Sequence, residues 1–396
     1  MPQIIRLSLE QKLRFVIAVQ QPRAVMAHVC QTWRVSRKTG YHWLRRYRQG
    51  GVTALQEQSR APHRRPQTLP PLWVQRIENR RRQHPSWGPK KLRAALRRAH
   101  PRARLPAAST IGATLRRSGL LVRRRRRLPG PTVRLRRPAP ARRPNDVWTV
   151  DFKGWFTTAD GQRVDPLTVR DLVSRFGLLT QMMSGQKFLP VQKAFVRLFK
   201  RHGQPRALRM DNGSPFGSAG AVGLSRLSAW LITLGIAVQF SRRGHPEDNG
   251  SHEQWHRVFK AETTRPPAGN PPLQAARTTR WLRCYNYERP HEALQQTSPA
   301  RHYHPSRRPY RGSRAPQYSK VLAVRQVHNS GEIKWQGRFR FVGEAFAGYL
   351  VALKRQRRGV WGVYFYHILL GRLHDADPSG LRTVTQWRPL NGPRTV

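Results

Sequence analysis

Carboxylates are what this chain has least of, relative to the charge it carries. Its 396 residues hold 19 Asp and Glu against 75 Lys and Arg, a net charge of +56. An acid retained inside an apolar segment of such a chain calls for a physical reason, because a buried carboxylate is costly unless paired or bound to a metal. Cysteine is almost missing too. Cys30 and Cys284 lie far apart with no CxxC pair, which excludes a zinc ribbon and a disulfide framework and fits a reducing compartment. A long apolar run is also lacking. VWGVYFYHILLG (360–371) is too short and too aromatic to cross a bilayer, and MPQIIRLSLEQKLRF lacks the basic-then-apolar layout of a signal peptide. The expectation is a soluble, cytoplasmic protein with neither a membrane nor a small-molecule cofactor as partner.

What is present argues against a disordered polycation. Hydrophobic residues make up 38% of the chain, with 12 Trp, so real cores can form, and the length suits two to four domains. Charge is uneven along it. Residues 146–292 hold 12 of the 19 acids, whereas 1–145 hold 36 basic side chains and 3 acidic ones. Flanks of nearly pure cation suit a polyphosphate partner, bound by counterion release. An anionic membrane is the rival, but no long basic amphipathic helix with an apolar face stands out.

Residues 1–60 read as a helical domain. Ser8 with Gln11 forms a capping box, and Leu9, Leu13, Val16 and Ile17 fall on one helical face. In VSRKTGYHWLRRY, Ser36 is the N-cap, Arg37 and Lys38 sit in the first turn, and Trp43, Leu44 and Tyr47 point inward. That is the layout of a helix-turn-helix whose last helix enters a major groove, with Arg37, Lys38 and His42 as candidate DNA contacts. A basic three-helix bundle without groove contact is the alternative. A Pro-rich linker leads to a second helix-turn-helix-like domain, 72–120, with Ser109 as an expected N-cap and Gly119 as an expected C-cap. Residues 121–144 hold 10 Arg, 5 Pro and no acid. The expectation is an extended arm in which Arg123, Arg124, Arg125, Arg126 and Arg127 follow phosphates, a nuclear-localisation run being the competing reading. Strand-like and helix-like segments then alternate across 145–305, an α/β sheet with helices on both faces, and 316–396 turns all-β in the pattern of a small barrel.

Three stretches carry chemistry: VWTVDFKG (147–154), RMDNGSPF (209–216) and PEDNGSHEQWH (246–256). Asp151 lies in an apolar strand, and Asp211 ends another just before an Asn-Gly turn, where open α/β sheets place their sites. Glu253 opens a helix, and Arg257 and Lys260 share its face at i+4 and i+7. Three convergent acids with cations to grip phosphate are what two-metal phosphodiester chemistry requires. Any one of the acids alone is better explained as a cap or turn residue.

These motifs, with YNYERPHEAL (285–294), resemble the integrase core of DDE insertion-sequence transposases, relatives of retroviral integrase. SRKTGYHWL and HPSWGPKKL resemble that family's two N-terminal DNA-binding units, and GEIKWQGRFRFV its C-terminal barrel. The resemblance implies a multi-domain protein: all-α helix-turn-helix units, an α/β ribonuclease H-like core and a small all-β barrel. It implies Asp151, Asp211 and Glu253 as catalytic and metal-binding residues, and two Mg2+ (or Mn2+) ions. It further implies double-stranded DNA as partner, both element ends and target, a homo-oligomer of two or more copies, and residence on a bacterial nucleoid. The zinc-binding N-terminal module of retroviral integrases is absent. The Asp211–Glu253 gap is also longer than usual, with GSAGAVGL (217–224) expected as a mobile loop beside the site.

Several other readings compete. A regulator of the same origin with a decayed core would keep DNA binding alone. HEQWH (252–256) is a literal HExxH zinc-protease motif, with His252 and His256 as ligands and Glu253 as base. It lacks an evident third ligand, and on the DNA reading His256 touches DNA or orients an acid while His252 merely starts the helix. Asp165 and Asp171 could supply a metal ligand but read better as a strand kink and a structural partner for Arg175, and Tyr285 and Tyr287 read as packing residues rather than recombinase nucleophiles.

Overall fold

The computed structural model describes residues 7–57, 69–121, 141–242, 250–377 and 380–383. The arginine run Arg123–Arg127 lies outside them. The described chain forms two compact units, divided near Leu69.

The first unit holds α1 (Leu9–Val19), α2 (Met26–Thr32) and α3 (Arg37–Gly50). Both halves of the Ser8–Gln11 capping box form, and Ser36 caps α3 by accepting from the Thr39 N–H. The buried stripe of α1 is one step round from the expected one. Phe15 and Val16 are fully buried, whereas Leu9 and Ile17 are exposed. Edge-on contacts of the Phe15 ring with Trp33 and Trp43 select that face. Gly40 lets α3 cross its neighbours closely, since a Cβ there would stand 2.7 Å from Cys30 Sγ and 2.8 Å from the Phe15 ring. Gly40→Ala should therefore destabilise this unit by about 1–3 kcal/mol. Chemical denaturation of the full chain, followed by the fluorescence of Trp33 and Trp43, checks this. An unchanged first transition would show that the crossing can relax.

The second unit opens with α4 (Pro71–Gln83), α5 (Pro89–Ala99) and α6 (Ala108–Arg117). Here Ser109 is not the N-cap. Ala107 holds that position without a side-chain bond, and Gly119, in the left-handed region at φ +68°, follows the C-cap Ser118. The basic α5 is turned toward the rest of the unit. Lys91 donates to the Pro290 carbonyl at 2.7 Å, Lys90 pairs with Glu292 at 2.7 Å, and Arg98 bonds the Glu288 carbonyl.

The central sheet comprises β1 (Val147–Phe152), β2 (Phe156–Thr157), β3 (Arg163–Asp171), β4 (Gly177–Met183), β5 (Ala207–Met210) and β6 (Ala237–Phe240). β3 pairs antiparallel with β1 and β4, while β1, β5 and β6 run parallel. β2 also pairs with β3, one residue out of the β1 register, so it resumes β1 beyond a break at 153–155. Trp148 and Val150 point from β1 into a core shared with α7 (Phe188–His202) and α8 (Arg226–Thr233). Thr149 and Asp151, by the alternation of a strand, face the other way. That second face is covered by α9 (Gly250–Thr263) and α10 (Pro271–Tyr287), through Trp255, Phe259, Trp281 and Tyr285. Helices on both faces of a mixed sheet with this strand order are the ribonuclease H-like arrangement expected.

The all-β segment contains β7 (Ala323–Gln326), β8 (Glu332–Trp335), β9 (Arg338–Phe341), β10 (Leu350–Arg357), β11 (Val360–Phe365), β12 (Ile368–His374) and β13 (Arg382–Thr383). It takes the form of a five-stranded antiparallel sheet, order β13-β12-β11-β10-β7, with β8 and β9 as a separate hairpin. Its core is continuous with that of the central sheet. The loop expected to be mobile is tied down. Gly217 and Leu224 form an antiparallel bridge, the Ser218 hydroxyl donates to the Leu224 carbonyl at 2.6 Å, and the turn Ala221–Gly223 lies against β12. Apolar side chains decide this, since Ala221 and Leu224 are buried. Among the described residues, no helix is long and apolar enough to cross a membrane.

Candidate active site

Asp151 and Asp211 sit at the ends of neighbouring parallel strands. The β1–β5 register pairs Trp148 with Leu208 and Thr149 with Arg209, and two further places along it Asp151 falls opposite Asp211. Asn212 donates to the Ser241 carbonyl at 2.7 Å and the Gly213 N–H donates to Asp211 Oδ1, which hold the turn that presents the acid. The Asp151 carboxyl is pushed up to about 7, first by burial and then by the negative charge of Asp211, with Glu253 adding to it. Desolvation raises Asp211 as well. Two oxygen-donor carboxyls that repel each other at a strand edge suit a hard divalent cation, and Asp151, Asp211 and Glu253 would hold it. The three acids lie within electrostatic reach, but their oxygens do not form a set within 4.8 Å of one another.

Glu253 is on the outer face of α9, together with Arg257 and Lys260, all three exposed. The opposite face is buried and carries His252, Trp255, His256 and Phe259. His256 therefore faces the sheet, beside Asp151, rather than the exposed surface of the helix. It is 6% exposed, with Nε2 2.7 Å from Thr168 Oγ1 and Nδ1 3.7 Å from Asp151 Oδ2. His252 is not merely the start of a helix either. It is fully buried, with Nδ1 2.6 Å from Thr149 Oγ1 and Nε2 2.8 Å from Thr168 Oγ1.

One hydrogen-bond pattern satisfies this cluster. The Thr168 hydroxyl donates to the Asp151 carbonyl at 2.8 Å, so its lone pairs are left to accept Nε2–H from both histidines. Thr149 then donates to His252 Nδ1. Both imidazoles are neutral. Burial and then His256 push His252 well down, and burial and then Lys153 take His256 to about 3. The His256–Asp151 contact is thus no ion pair. Instead, α9 is pegged to β1 and β3 directly behind the first acid.

Geometry disfavours the zinc-protease reading for the same reason. Ligand atoms of Asp151, His252 and His256 do lie within 4.8 Å of one another. Yet both nitrogens of His252 are engaged by threonines, and Glu253, the base of that motif, is exposed while both histidines are buried. The remaining alternatives resolve structurally. Asp165 is buried against Arg163 at 3.0 Å. Asp171 accepts from the Asn145 N–H and from Ser174, at 2.6–2.7 Å, so its partner is not Arg175. Tyr285 is packed among Trp255, Trp281 and His291, whereas Tyr287 is exposed at the helix end.

Lys153 is the residue that the sequence reading missed. It lies in the break after β1, and its ammonium is pushed down by burial and by Lys260, with Asp151 acting against both. Lys153 and Lys260 therefore share the neighbourhood of Asp151. The available signal was spacing: in VDFKG the lysine is two places after the aspartate, on the same side of an extended chain.

In the first unit, Arg37, Lys38 and His42 are all exposed on α3. Tyr41 and Arg45 are exposed beside them, which widens the candidate face by an aromatic ring and one more cation.

Residues 141–246 and 234–299 match two descriptions of the Integrase core domain, and 322–376 match the IS481 family transposase C-terminal domain. Residues 6–56 and 39–115 match Homeodomain-like domains. A 31.7 kDa protein of insertion element IS407 from Burkholderia multivorans is 30% identical over 186 residues, covering 47% of this chain and 65% of that one. A 39.2 kDa protein of insertion element IS476 from Xanthomonas euvesicatoria is 29% identical over 182 residues, 46% of this chain and 51% of that one. The chain thus spans less than two thirds of either relative. Among solved structures, the catalytic core domain of HTLV-2 integrase in complex with magnesium is 14% identical with a TM-score of 0.33, covering 41% of this chain and 98% of that one. A simian T-cell lymphotropic virus intasome chain is 14% identical with a TM-score of 0.37, covering 74% and 97%.

Proposed function

We propose, for a chain that belongs to the insertion-sequence transposases with an integrase-like core, that it cleaves DNA at the ends of its element and joins those ends to a target duplex. The observation that carries this reading is the pair Asp151 and Asp211, two carboxyls raised in pKa on adjacent parallel strand ends in a chain with so few acids. Divalent ions, two Mg2+ or Mn2+, would supply activation of the attacking oxygen and stabilisation of the leaving one. The chain's own residues do the rest. Asp151, Asp211 and Glu253 hold the charge that recruits the cations. The Thr168–His252–His256 cluster keeps β1 and α9 in register behind them. Lys153, Arg257 and Lys260 grip phosphates on either side of the scissile bond. In the first step a water oxygen bonds to phosphorus as the 3′ oxygen leaves. In the second that 3′ oxygen bonds to a phosphorus of the target strand as the target's own 3′ oxygen leaves, and no protein side chain becomes covalently linked.

The α3 face with Arg37, Lys38 and His42 docks in a major groove of double-stranded DNA, where Tyr41 and Arg45 add contacts. Two ends must meet before joining, so the working species is a dimer or larger. Incubating the purified chain with labelled element ends and Mg2+ or Mn2+ should give nicked ends with a free 3′ hydroxyl, followed by joined products. A tyrosine-linked product would overturn the mechanism.

Cation binding should compete with a proton. Asp151 titrates near 7 in the folded chain against an ordinary value of 3.8. Between those two values the folded state holds a proton that the unfolded state has lost, so metal-free stability falls as pH rises through that window. A bound cation offsets that loss. Mn2+ should therefore raise the melting temperature clearly at about pH 8 and little at about pH 5.5, and Asp151→Asn should flatten the difference. Equal stabilisation at both pH values would remove Asp151 from the metal site.

A further inference from the structure

One cavity in this chain is crowded by cations. It has a volume of about 420 Å3 and lies where α5, β3, the first turns of α9 and the segment after α10 come together. Lys91, Arg170, Arg175 and Arg289 all line it. Arg289 is answered by Glu262 at 2.7 Å, and Glu292, the one carboxylate on the wall, is answered by Lys90. Lys91 donates to the Pro290 carbonyl at 2.7 Å, and Arg170 donates to the Ser251 hydroxyl at 2.8 Å and to the Tyr285 hydroxyl, all of them neutral acceptors. Among the described residues, neither they nor Arg175 has a carboxylate within ion-pair distance. Arg170 is 3% exposed. Enclosing like charges together without a counter-ion is expensive, because each loses hydration and repels the others.

The neighbours register that surplus. Burial and then Arg289 push the Lys91 ammonium down to about 8. His291 is held down near 3 by burial and then by Lys91, Arg289, Arg170 and Arg175, so four cations surround one ring. Three lining residues also carry a buried nitrogen with no hydrogen-bond partner: Arg170 Nε, Trp255 Nε1 and His291 Nε2. Unspent donors and unpaired cations around one space point to a missing multivalent acceptor.

We propose that this cavity is a phosphate site, in which one phosphate group is held by Lys91, Arg170 and Arg175 at the seam between the second helical domain and the catalytic core. A phosphate offers three or more acceptor oxygens and up to two charges, which matches three cations that lack a carboxylate at contact distance better than a single carboxylate does. The cavity is larger than a bare phosphate ion, so a phosphate ester fits as well, whether from a DNA backbone or from a free nucleotide. Because α5 supplies Lys91 while α9 supplies Trp255 and Ser251, occupancy would tie the second helical domain to the helix that bears Glu253. The site does not depend on the cleavage reading, since it involves neither Asp151 nor Asp211.

The test is thermal unfolding of the full metal-free chain in inorganic phosphate against chloride at matched ionic strength. Wild type should gain several degrees in phosphate. Arg175→Gln should melt higher than wild type in chloride, because repulsion is relieved, and should lose more than half of the phosphate gain. Lys91→Gln should lose it likewise, while Arg45→Gln, on the exposed face of α3, should keep it. Asp151→Asn should also keep it in full, which separates this site from the catalytic one. A full phosphate gain in both Arg175→Gln and Lys91→Gln would overturn the proposal and mark an adventitious ion only. Adding a short DNA duplex identifies the source of the phosphate. Competition with phosphate, with duplex affinity about tenfold weaker in Arg175→Gln, assigns it to the DNA backbone, and undisturbed phosphate binding assigns it to a free phosphate ester.

Discussion

Asp151→Asn and Asp211→Asn should each lower Mg2+-dependent cleavage of element ends by at least about 10^3-fold, equivalent to about 4 kcal/mol of transition-state stabilisation. An amide keeps the shape of the side chain and loses the charge that attracts a hard cation. Neither acid belongs to the apolar core, and each substitution removes a like-charge repulsion, so both variants should fold at least as stably as wild type in metal-free buffer. End binding, measured by gel shift without metal, should stay within about twofold, because α3 is remote in sequence from both residues and carries its own cations. The outcome that defeats the assignment is cleavage at near-normal rate in either variant. Loss of binding together with cleavage would instead show that the acids shape the DNA site rather than the chemistry.

His252→Ala should behave in a different way: it should damage the fold. The imidazole is fully enclosed and is the shared partner of two threonine hydroxyls on two strands. Truncation strips Thr149 of a partner, opens a cavity under α9 and loosens the peg behind Asp151. Together these should cost about 3 kcal/mol or more, read as a melting temperature lower by at least about 5 °C. Glu253→Gln, one residue along but on the solvent side, should leave the melting temperature unchanged while abolishing cleavage. Had His252 been a zinc ligand, its replacement would release one metal equivalent from an otherwise intact fold. Stoichiometric zinc in the wild-type chain, absent from a stably folded His252→Ala, would reverse the reading of this helix.

The contrast between these residues shows what can be read along the chain. The acids were legible because negative charge is so scarce in this chain: Asp151 interrupts an apolar strand, and Asp211 precedes an Asn-Gly turn. Local rules also found the capping box at Ser8, the cap at Ser36 and the order of strands and helices, since these depend on residues a few places apart. They failed where a choice depended on distant partners. Whether α1 buries Ile17 or Phe15 is settled by Trp33 and Trp43, and whether Ser109 caps α6 or lies within it is settled by where the preceding chain straightens.

The same division holds for function. Sequence by itself determined that the chain is a folded polycation with a few acids set in strand, turn and helix contexts, because composition and short-range periodicity follow from covalent order alone. Which side of α9 faces the sheet was decided only by tertiary structure. Glu253, Arg257 and Lys260 went outward and His252 and His256 inward because Thr149 and Thr168 offer partners from strands some 85 to 100 residues away. The pairing of Asp151 with Asp211 likewise comes from the parallel register of β1 and β5, the docking of α5 from carbonyls beyond α10, and the cation-lined cavity from four separate elements. Each is a long-range contact, selected by which burial leaves the fewest polar groups without partners, and no local pattern encodes that comparison.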